Sequence, residues 1–314
     1  MASANAPIVF ISRHDSGRWR EALSEAMPRE RVVDDNVLDA RDVAGVEVAI
    51  VADPAPERLA RYPNLRWVHS VWAGVERIVP LVAARQLPLV RLVDPTLANT
   101  MAEAVLAWTL YLHRDMPVYA AQQRQRLWRP HAYVAAGDVN VGVLGLGELG
   151  RAAAKRLVAA GYRVTGWSQS EKTLDGVETF TGEAGLRRVL ADANIVVVLL
   201  PLTSDTRHLI NAERIACMRE GAKIINFARG AVVDAAALLA ALDNHPLSHA
   251  VLDVFEEEPL DATSPLWHHQ KVTVLPHISA PTDRQSAAKI VASNVARFRT
   301  TGLLPDLVET KRGY

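Results

Sequence analysis

The sequence is short of the features that mark several classes of protein. Its one cysteine, Cys217, excludes an intrachain disulfide and a cysteine metal cluster. No apolar run approaches the ~20 residues that cross a bilayer as a helix. The opening residues, Met-Ala-Ser-Ala-Asn-Ala-Pro, lack a basic segment followed by an apolar stretch, so no secretion signal is expected. Charge of either sign is not in excess: Lys+Arg and Asp+Glu stand at 35 each. That balance argues against nucleic acid or an anionic membrane surface as the main partner. Paired metal-ligating residues are scarce. His268-His269 are adjacent and cannot readily converge on one ion, so no metal is expected. A cytoplasmic location is the simplest expectation.

What is present is apolar material in quantity. Hydrophobic residues make up 49% of 314, enough for the cores of two domains of ordinary size. Short apolar runs alternate with helical patterns. The strand candidates are 8–11, 46–51, 66–69, 89–92, 140–144, 163–167, 195–199, 223–226, 250–254 and 272–275. Several are continuous Val/Ile/Leu runs, as in parallel strands buried on both faces. Strand–helix alternation implies an α/β fold. Thr100–Arg124 reads as one long helical stretch, with Met101, Ala104, Val105, Trp108, Tyr111 and Leu112 on a recurring face. It could link two domains, form a dimer interface or pack as an ordinary helix. A last helical pattern, Thr282–Arg299, could carry the chain back to the first domain.

The most specific local pattern is Gly145-Leu-Gly147-Glu148-Leu149-Gly150. It follows an apolar strand and runs into a helix-forming segment, Arg151–Ala160. This is the context in which a glycine loop cradles a pyrophosphate. The first glycine permits the turn, the second lets the backbone approach the ligand, and the third lets helix and strand pack. The positive end of the helix dipole faces the anion. The bland alternative is a glycine-rich turn with only a packing role.

The residue that ends the next strand bears on the choice of nicotinamide cofactor. An acid there usually holds the adenosine 2′-hydroxyl. Here Ser168 stands in its place, followed by Gln169, Ser170, Glu171 and Lys172. A hydroxyl tolerates a 2′-phosphate where a carboxylate repels it, and Ser170 and Lys172 add a donor and a positive charge. NADP(H) is therefore expected over NAD(H), although Glu171 works against it and solvated loop residues would select neither.

Three later segments end in groups with a shared chemical use. They are Ile225–Gly230 with Arg229, Leu252–Pro259 with Glu258, and Leu275–Ser279 with His277. Reducing a 2-keto acid needs a hydride and a proton for the carbonyl oxygen. Histidine titrates near neutrality and can carry that proton. A carboxylate orients the ring and favours its charged form. Arginine can grip a substrate carboxylate and polarise the keto group. Each residue alone has an ordinary explanation: a loop histidine, a solvated charge run in Glu256-Glu257-Glu258, a surface ion pair. Their joint occurrence after a dinucleotide motif favours catalysis.

With these motifs in place, the chain resembles the D-isomer-specific 2-hydroxyacid dehydrogenase family. The resemblance rests on Gly145–Gly150, Leu200–Ile210, Asn226–Gly230, Leu252–Pro259 and Pro276–Ile278, in the family's order. It extends to the glyoxylate/hydroxypyruvate reductase subgroup through Trp167-Ser168-x-Ser170-x-Lys172, Leu127-Trp128-x-Pro130, Ser264-Pro265-Leu266-Trp267 and Arg312-Gly313-Tyr314. It implies two doubly wound parallel-sheet domains with a cleft between them. A flavodoxin-like substrate domain would cover 1–99 and be completed by 286–314; a Rossmann dinucleotide-binding domain would cover 100–285. The resemblance makes Ser70–Glu76 the loop whose backbone N–H groups receive the substrate carboxylate, with Ala73 and Gly74 exposing their donors. Trp72 departs from the family's smaller residue and could close the pocket, stack on a larger substrate or pack between domains.

Cofactor contacts are implied for Met101, Gly145, Gly147, Glu148, Leu149, Gly150, Ser168, Gln169, Ser170, Lys172, Leu200, Pro201, Thr203, Ala228, Asp253 and His277. Of these, Asp253 would lie near the nicotinamide carboxamide. Ser279-Ala280 replaces a glycine-rich pair often seen after the histidine. A homodimer is implied as well. The expected activity is NADP(H)-dependent reduction of small 2-keto acids such as glyoxylate and hydroxypyruvate. A dehydrogenase for a bulkier D-2-hydroxy acid, or a non-catalytic nucleotide sensor on the same scaffold, are the competing expectations.

Overall fold

The computed structural model describes residues 6–13, 16–244, 246–310 and 312–313. Tyr314 of the C-terminal Arg-Gly-Tyr pattern lies outside them. The chain divides into two compact units, one of residues 1–96 with 282–314 and one of residues 97–281.

In the first unit the strands are β1 (Ile8–Ser12), β2 (Val32–Asp34), β3 (Val48–Ala52), β4 (Trp67–Ser70) and β5 (Leu89–Val90). They form one parallel sheet in the order β2-β1-β3-β4-β5, a flavodoxin-like winding. Alternate residues of each strand feed two apolar layers. Ile8, Phe10, Val48, Ile50 and Trp67 face one, and Val9, Ile11, Ala49, Val51 and Val68 face the other. Period-two alternation puts successive side chains on opposite faces, so both faces must be covered. The helix Arg284–Thr301 supplies one cover, through Ala287, Val291, Val295 and Phe298. Asp283 caps it by accepting from the Ser286 N–H at 2.7 Å.

In the second unit the strands are β6 (Asn140–Leu144), β7 (Arg163–Trp167), β8 (Val177–Phe180), β9 (Ile195–Val198), β10 (Ala222–Asn226), β11 (Leu247–Leu252) and β12 (Val272–Val274). All pair in parallel, in the order β12-β11-β10-β9-β6-β7-β8. This is the Rossmann winding with one added strand, and the order reverses between β6 and β9. Ligands of such sheets bind outside the carboxyl ends of the strands, at that reversal.

Two strands are not evident from apolar runs. β2 has three residues and lies at a sheet edge; β8 reads Val-Glu-Thr-Phe, half-exposed, at the other sheet's edge. An edge strand buried on one side carries no continuous apolar signal. The long helix expected over 100–124 is also two helices, Pro95–His113 and Met116–Gln125. Pro117 has no N–H to give and its ring excludes the carbonyl four residues back. The chain turns instead at Asp115, whose φ is 51°. Met101, Val105 and Leu112 of the first helix are buried against the second unit's sheet, with Ala104, Trp108 and Tyr111 packed beside them. Among the described residues no helix is long and apolar enough to cross a membrane.

Candidate active site

The glycine loop is built as the sequence pattern requires. Gly145 has φ +100°, and a Cβ there would lie 2.7 Å from the Leu199 carbonyl oxygen. A Cβ at Gly150 would lie 1.7 Å from the Gly145 carbonyl oxygen, so the helix sits directly on the turn. Gly147 caps the helix Glu148–Ala159, and a Cβ there would meet nothing within 4 Å. Two glycines are therefore demanded by packing, and the third borders open space. The N–H groups of Glu148, Leu149 and Gly150 belong to the first turn, which has no intrahelical acceptors. These features fit a pyrophosphate: donors, dipole and room coincide.

The loop after β7 differs from expectation in one respect. Ser168 is buried, and its hydroxyl donates to the Ser170 carbonyl oxygen. Its proton is thus directed within the loop. Gln169 and Ser170 are exposed and Lys172 is half-buried. Thr179 Oγ1 donates to the Lys172 carbonyl at 2.6 Å and fixes the far end of the loop. Of the other expected cofactor residues, Leu200 and Met101 are buried in the two apolar layers. Pro201 and Thr203 are half-buried in a turn closed by Thr206, whose hydroxyl donates to the Pro201 carbonyl at 2.6 Å.

The carboxyl ends of β10, β11 and β12 carry the reactive set. Glu258 Oε2 accepts from His277 Nδ1 at 2.8 Å, while its Oε1 accepts from the Phe255 N–H at 3.0 Å. A carboxylate accepts only, so Nδ1 bears the hydrogen and Nε2 is the atom turned outward. The neighbouring acid has another duty: Glu256 takes Arg207 at 2.9 Å and His208 at 3.2 Å. The Glu256-Glu257-Glu258 run is therefore not a uniform solvated face.

Arg229 is held from its own strand end. Its Nη1 donates to the Ala228 carbonyl at 2.6 Å, and Asn226 Nδ2 donates to the Arg229 carbonyl at 3.2 Å. Asn226 Oδ1 accepts from the Ala228 N–H at 3.1 Å. Next to it, a Cβ on Gly230 would lie 1.9 Å from the Phe255 carbonyl carbon. The segment carrying Arg229 and the segment leading to Glu258 thus run in backbone contact.

Asp253 has a task that spacing does not reveal. It is 2% exposed, and its two oxygens accept from the N–H groups of Ile278 at 2.7 Å and Ser279 at 2.8 Å. Those bonds pin the residues immediately after His277, whose φ of 55° is unfavourable for a side-chain-bearing residue. Asn226, Gly230 and Asp253 form the supporting frame. All three stand inside sequence motifs, yet nothing local marks them as supports.

In the first unit, the loop after β4 keeps Trp72 36% exposed. The Trp72 N–H donates to Ser70 Oγ at 3.0 Å, so it is not available to an anion. Among the described residues the N–H groups of Ala73 and Gly74 have no acceptor.

Comparison with known proteins agrees with this geometry. Residues 106–279 match the model of the D-isomer specific 2-hydroxyacid dehydrogenase, NAD binding domain. The chain is 35% identical over 313 residues to glyoxylate/hydroxypyruvate reductase A of Salmonella paratyphi B, covering 98% of this chain and 99% of that protein. The chain belongs to the D-isomer specific 2-hydroxyacid dehydrogenase family. Among solved structures, this dehydrogenase is similar to a family member from Xanthobacter autotrophicus Py2 in complex with NADPH and MES. There the TM-score is 0.94 and the identity 41%, over 99% of this chain and 100% of that one. It is also similar to the NADPH-dependent glyoxylate/hydroxypyruvate reductase of Sinorhizobium meliloti in complex with NADP and sulfate. The TM-score is 0.92 and the identity 36%, over 99% and 100% of the two chains. The protein is an oxidoreductase, and its paired sheets are those of the family.

Proposed function

We propose that the protein reduces small 2-keto acids, glyoxylate or hydroxypyruvate, to glycolate or D-glycerate, with NADP(H) preferred over NAD(H). The observation that carries this reading is the His277–Glu258 pair at 2.8 Å, at the carboxyl-end edge of the sheet that also carries the glycine cradle after β6. NADPH and NADP in two similar structures support the cofactor, as does the neutral Ser168 where an acid would repel a 2′-phosphate.

A nicotinamide cofactor would be held by the Gly145–Gly150 cradle and would supply a hydride for the carbonyl carbon. Glu258 accepts from Nδ1–H of His277 and so presents Nε2 to the carbonyl oxygen. An imidazolium there gives its Nε2 proton to the oxygen as negative charge develops, with Glu258 balancing the ring's charge. Arg229 pairs with the substrate carboxylate and, through its remaining donors, stabilises the developing oxyanion. In the first unit, the N–H groups of Ala73 and Gly74, which have no acceptor among the described residues, are the donors for a substrate carboxylate. Asp253 holds the His277 loop in place throughout.

A panel of 2-keto acids, each assayed with NADPH and NADH, tests the reading. The highest kcat/KM should fall to glyoxylate or hydroxypyruvate with NADPH. A clear NADH preference would overturn the cofactor assignment. Preference for a phenyl or branched-chain acid would support the bulkier-substrate reading, which the exposed indole of Trp72 favours. Cofactor binding with no turnover on any acid would mark a sensor. The homodimer is part of the same proposal. Its support is an exposed segment with Leu127, Trp128 at 99% exposure, Tyr133 and Val134. A monomeric mass in light scattering would remove it.

A further inference from the structure

We propose that His69 and Asn294 are positioning residues for the Ser70–Gly74 loop, and through it for the substrate carboxylate. The proposal rests on the reading that the N–H groups of Ala73 and Gly74 receive that carboxylate.

His69 is the third residue of β4 and is completely buried. Its Nδ1 lies 2.8 Å from the carbonyl oxygen of the next residue, Ser70. A carbonyl only accepts, so Nδ1 carries the hydrogen. On the far side, Asn294 Nδ2 lies 2.9 Å from Nε2. Burial pushes the ring down to about 4, against the opposing pull of the Ser70 carbonyl. The imidazole is therefore neutral at ordinary pH, and Nε2 accepts from the asparagine amide. One ring is thus tied at both nitrogens, to a helix 225 residues away in sequence and to the peptide that opens the loop.

From that peptide the constraint passes residue by residue. The Val71 N–H donates to the Val51 carbonyl at 2.9 Å. Ser70 Oγ accepts from the Trp72 N–H and donates to the Trp72 carbonyl, both at 3.0 Å. The Trp72 carbonyl also accepts from the Leu92 N–H at 3.2 Å. The backbone is committed up to Trp72, and the first N–H groups without an acceptor among the described residues are those of Ala73 and Gly74. Their direction follows from the bonds before them. A leucine would fill the His69 site at lower desolvation cost, but it could not hold the Ser70 carbonyl. The imidazole's use is orientation of that peptide.

The test is a split between KM and kcat with two probes, glyoxylate and its uncharged methyl ester, on the full chain with NADPH. Asn294→Leu removes the donor to Nε2 while leaving every loop residue in place. KM for glyoxylate should rise about tenfold, or ~1.4 kcal/mol. The effect should fall in KM rather than kcat, and KM for the ester and for NADPH should hold. His69→Gln, a neutral side chain of shorter reach, gives a second measurement should the leucine variant fail to fold. A thermal melt of each variant confirms its fold. Unchanged KM for glyoxylate in folded variants, or equal shifts for acid and ester, would overturn the proposal. Wild-type enzyme that takes acid and ester equally well would instead remove the carboxylate role of the loop, and the proposal with it.

Discussion

The two units share one construction and end their strands differently. In both, a parallel sheet is buried on each face and its strands run into loops at their carboxyl ends. The first unit ends β4 in a loop that offers peptide N–H donors on small residues, Ala73 and Gly74. The second ends β10, β11 and β12 in side chains: Arg229, Glu258 and His277. Backbone donors carry no titratable proton and do not change with the side chain. Their direction, however, depends wholly on buried supports such as His69 and Ser70. Side-chain groups bring a proton and a positive charge, and they need supports of a second kind, Asn226, Gly230 and Asp253. A strand end can thus offer backbone donors or side chains, each resting on its own buried frame.

The comparison can be broken most sharply at the reactive end. His277→Asn should lower kcat by about 10²–10⁴-fold, the usual contribution of a general acid. NADPH binding, followed by fluorescence titration, should survive; unchanged turnover would move the proton to another group. A smaller loss should follow Gly230→Ala, because its Cβ would lie 1.9 Å from the Phe255 backbone. Forced overpacking of that kind costs about 1–3 kcal/mol or more, read as a fall in the urea midpoint. Gly147→Ala is the control, since its Cβ meets nothing within 4 Å. There, NADPH affinity should drop while the midpoint stays, and the reverse pattern would contradict the cradle.

Acid should expose one buried histidine in each unit. His69 and His249 both have their values pushed down to about 4, chiefly by burial; Lys223 and His269 add to the effect at His249. The unfolded chain, with ordinary values near 6.5, binds more protons between pH 6.5 and 4. Stability is therefore whole above about 6.5 and declines as pH falls toward 4. The shift from 6.5 to about 4 corresponds to about 3 kcal/mol for each ring at most. Urea midpoints at neutral and mildly acid pH measure it, and a flat profile would refute it. The smallest effect expected is in selectivity. Ser168→Asp should narrow or reverse the NADPH preference by about tenfold, because a carboxylate near a 2′-phosphate repels it.

Most of this fold could be read from the residues, and the reasons are local. The continuous runs at β1, β6 and β9 are apolar because both faces are covered, and that leaves a plain mark. β2 and β8 lie at edges, where one side meets water and the mark fades. The reading of 100–124 as one helix passes over Pro117, and the chain breaks there into two helices. At the site, the glycine spacing and the Glu258–His277 pairing were legible because they are fixed by backbone turns and by a charge partner. The supports were not. Asp253 binds N–H groups 25 and 26 residues on, and His69 binds an amide 225 residues on. Such bonds depend on which strand lies beside which, and no window of sequence contains that. Ser168 was legible as a missing acid, yet its proton is spent on Ser170, two residues away.

Asp253 has a consequence for the energetics of ligand capture. Its two oxygens meet two N–H donors, so the loop bearing His277 holds its shape with protein groups alone. An asparagine there would turn one acceptor into an amide facing an N–H, and half of the clasp would repel. With the aspartate in place, the backbone just after His277 is held by protein groups before any ligand arrives. Association then loses less of its free energy to ordering that backbone.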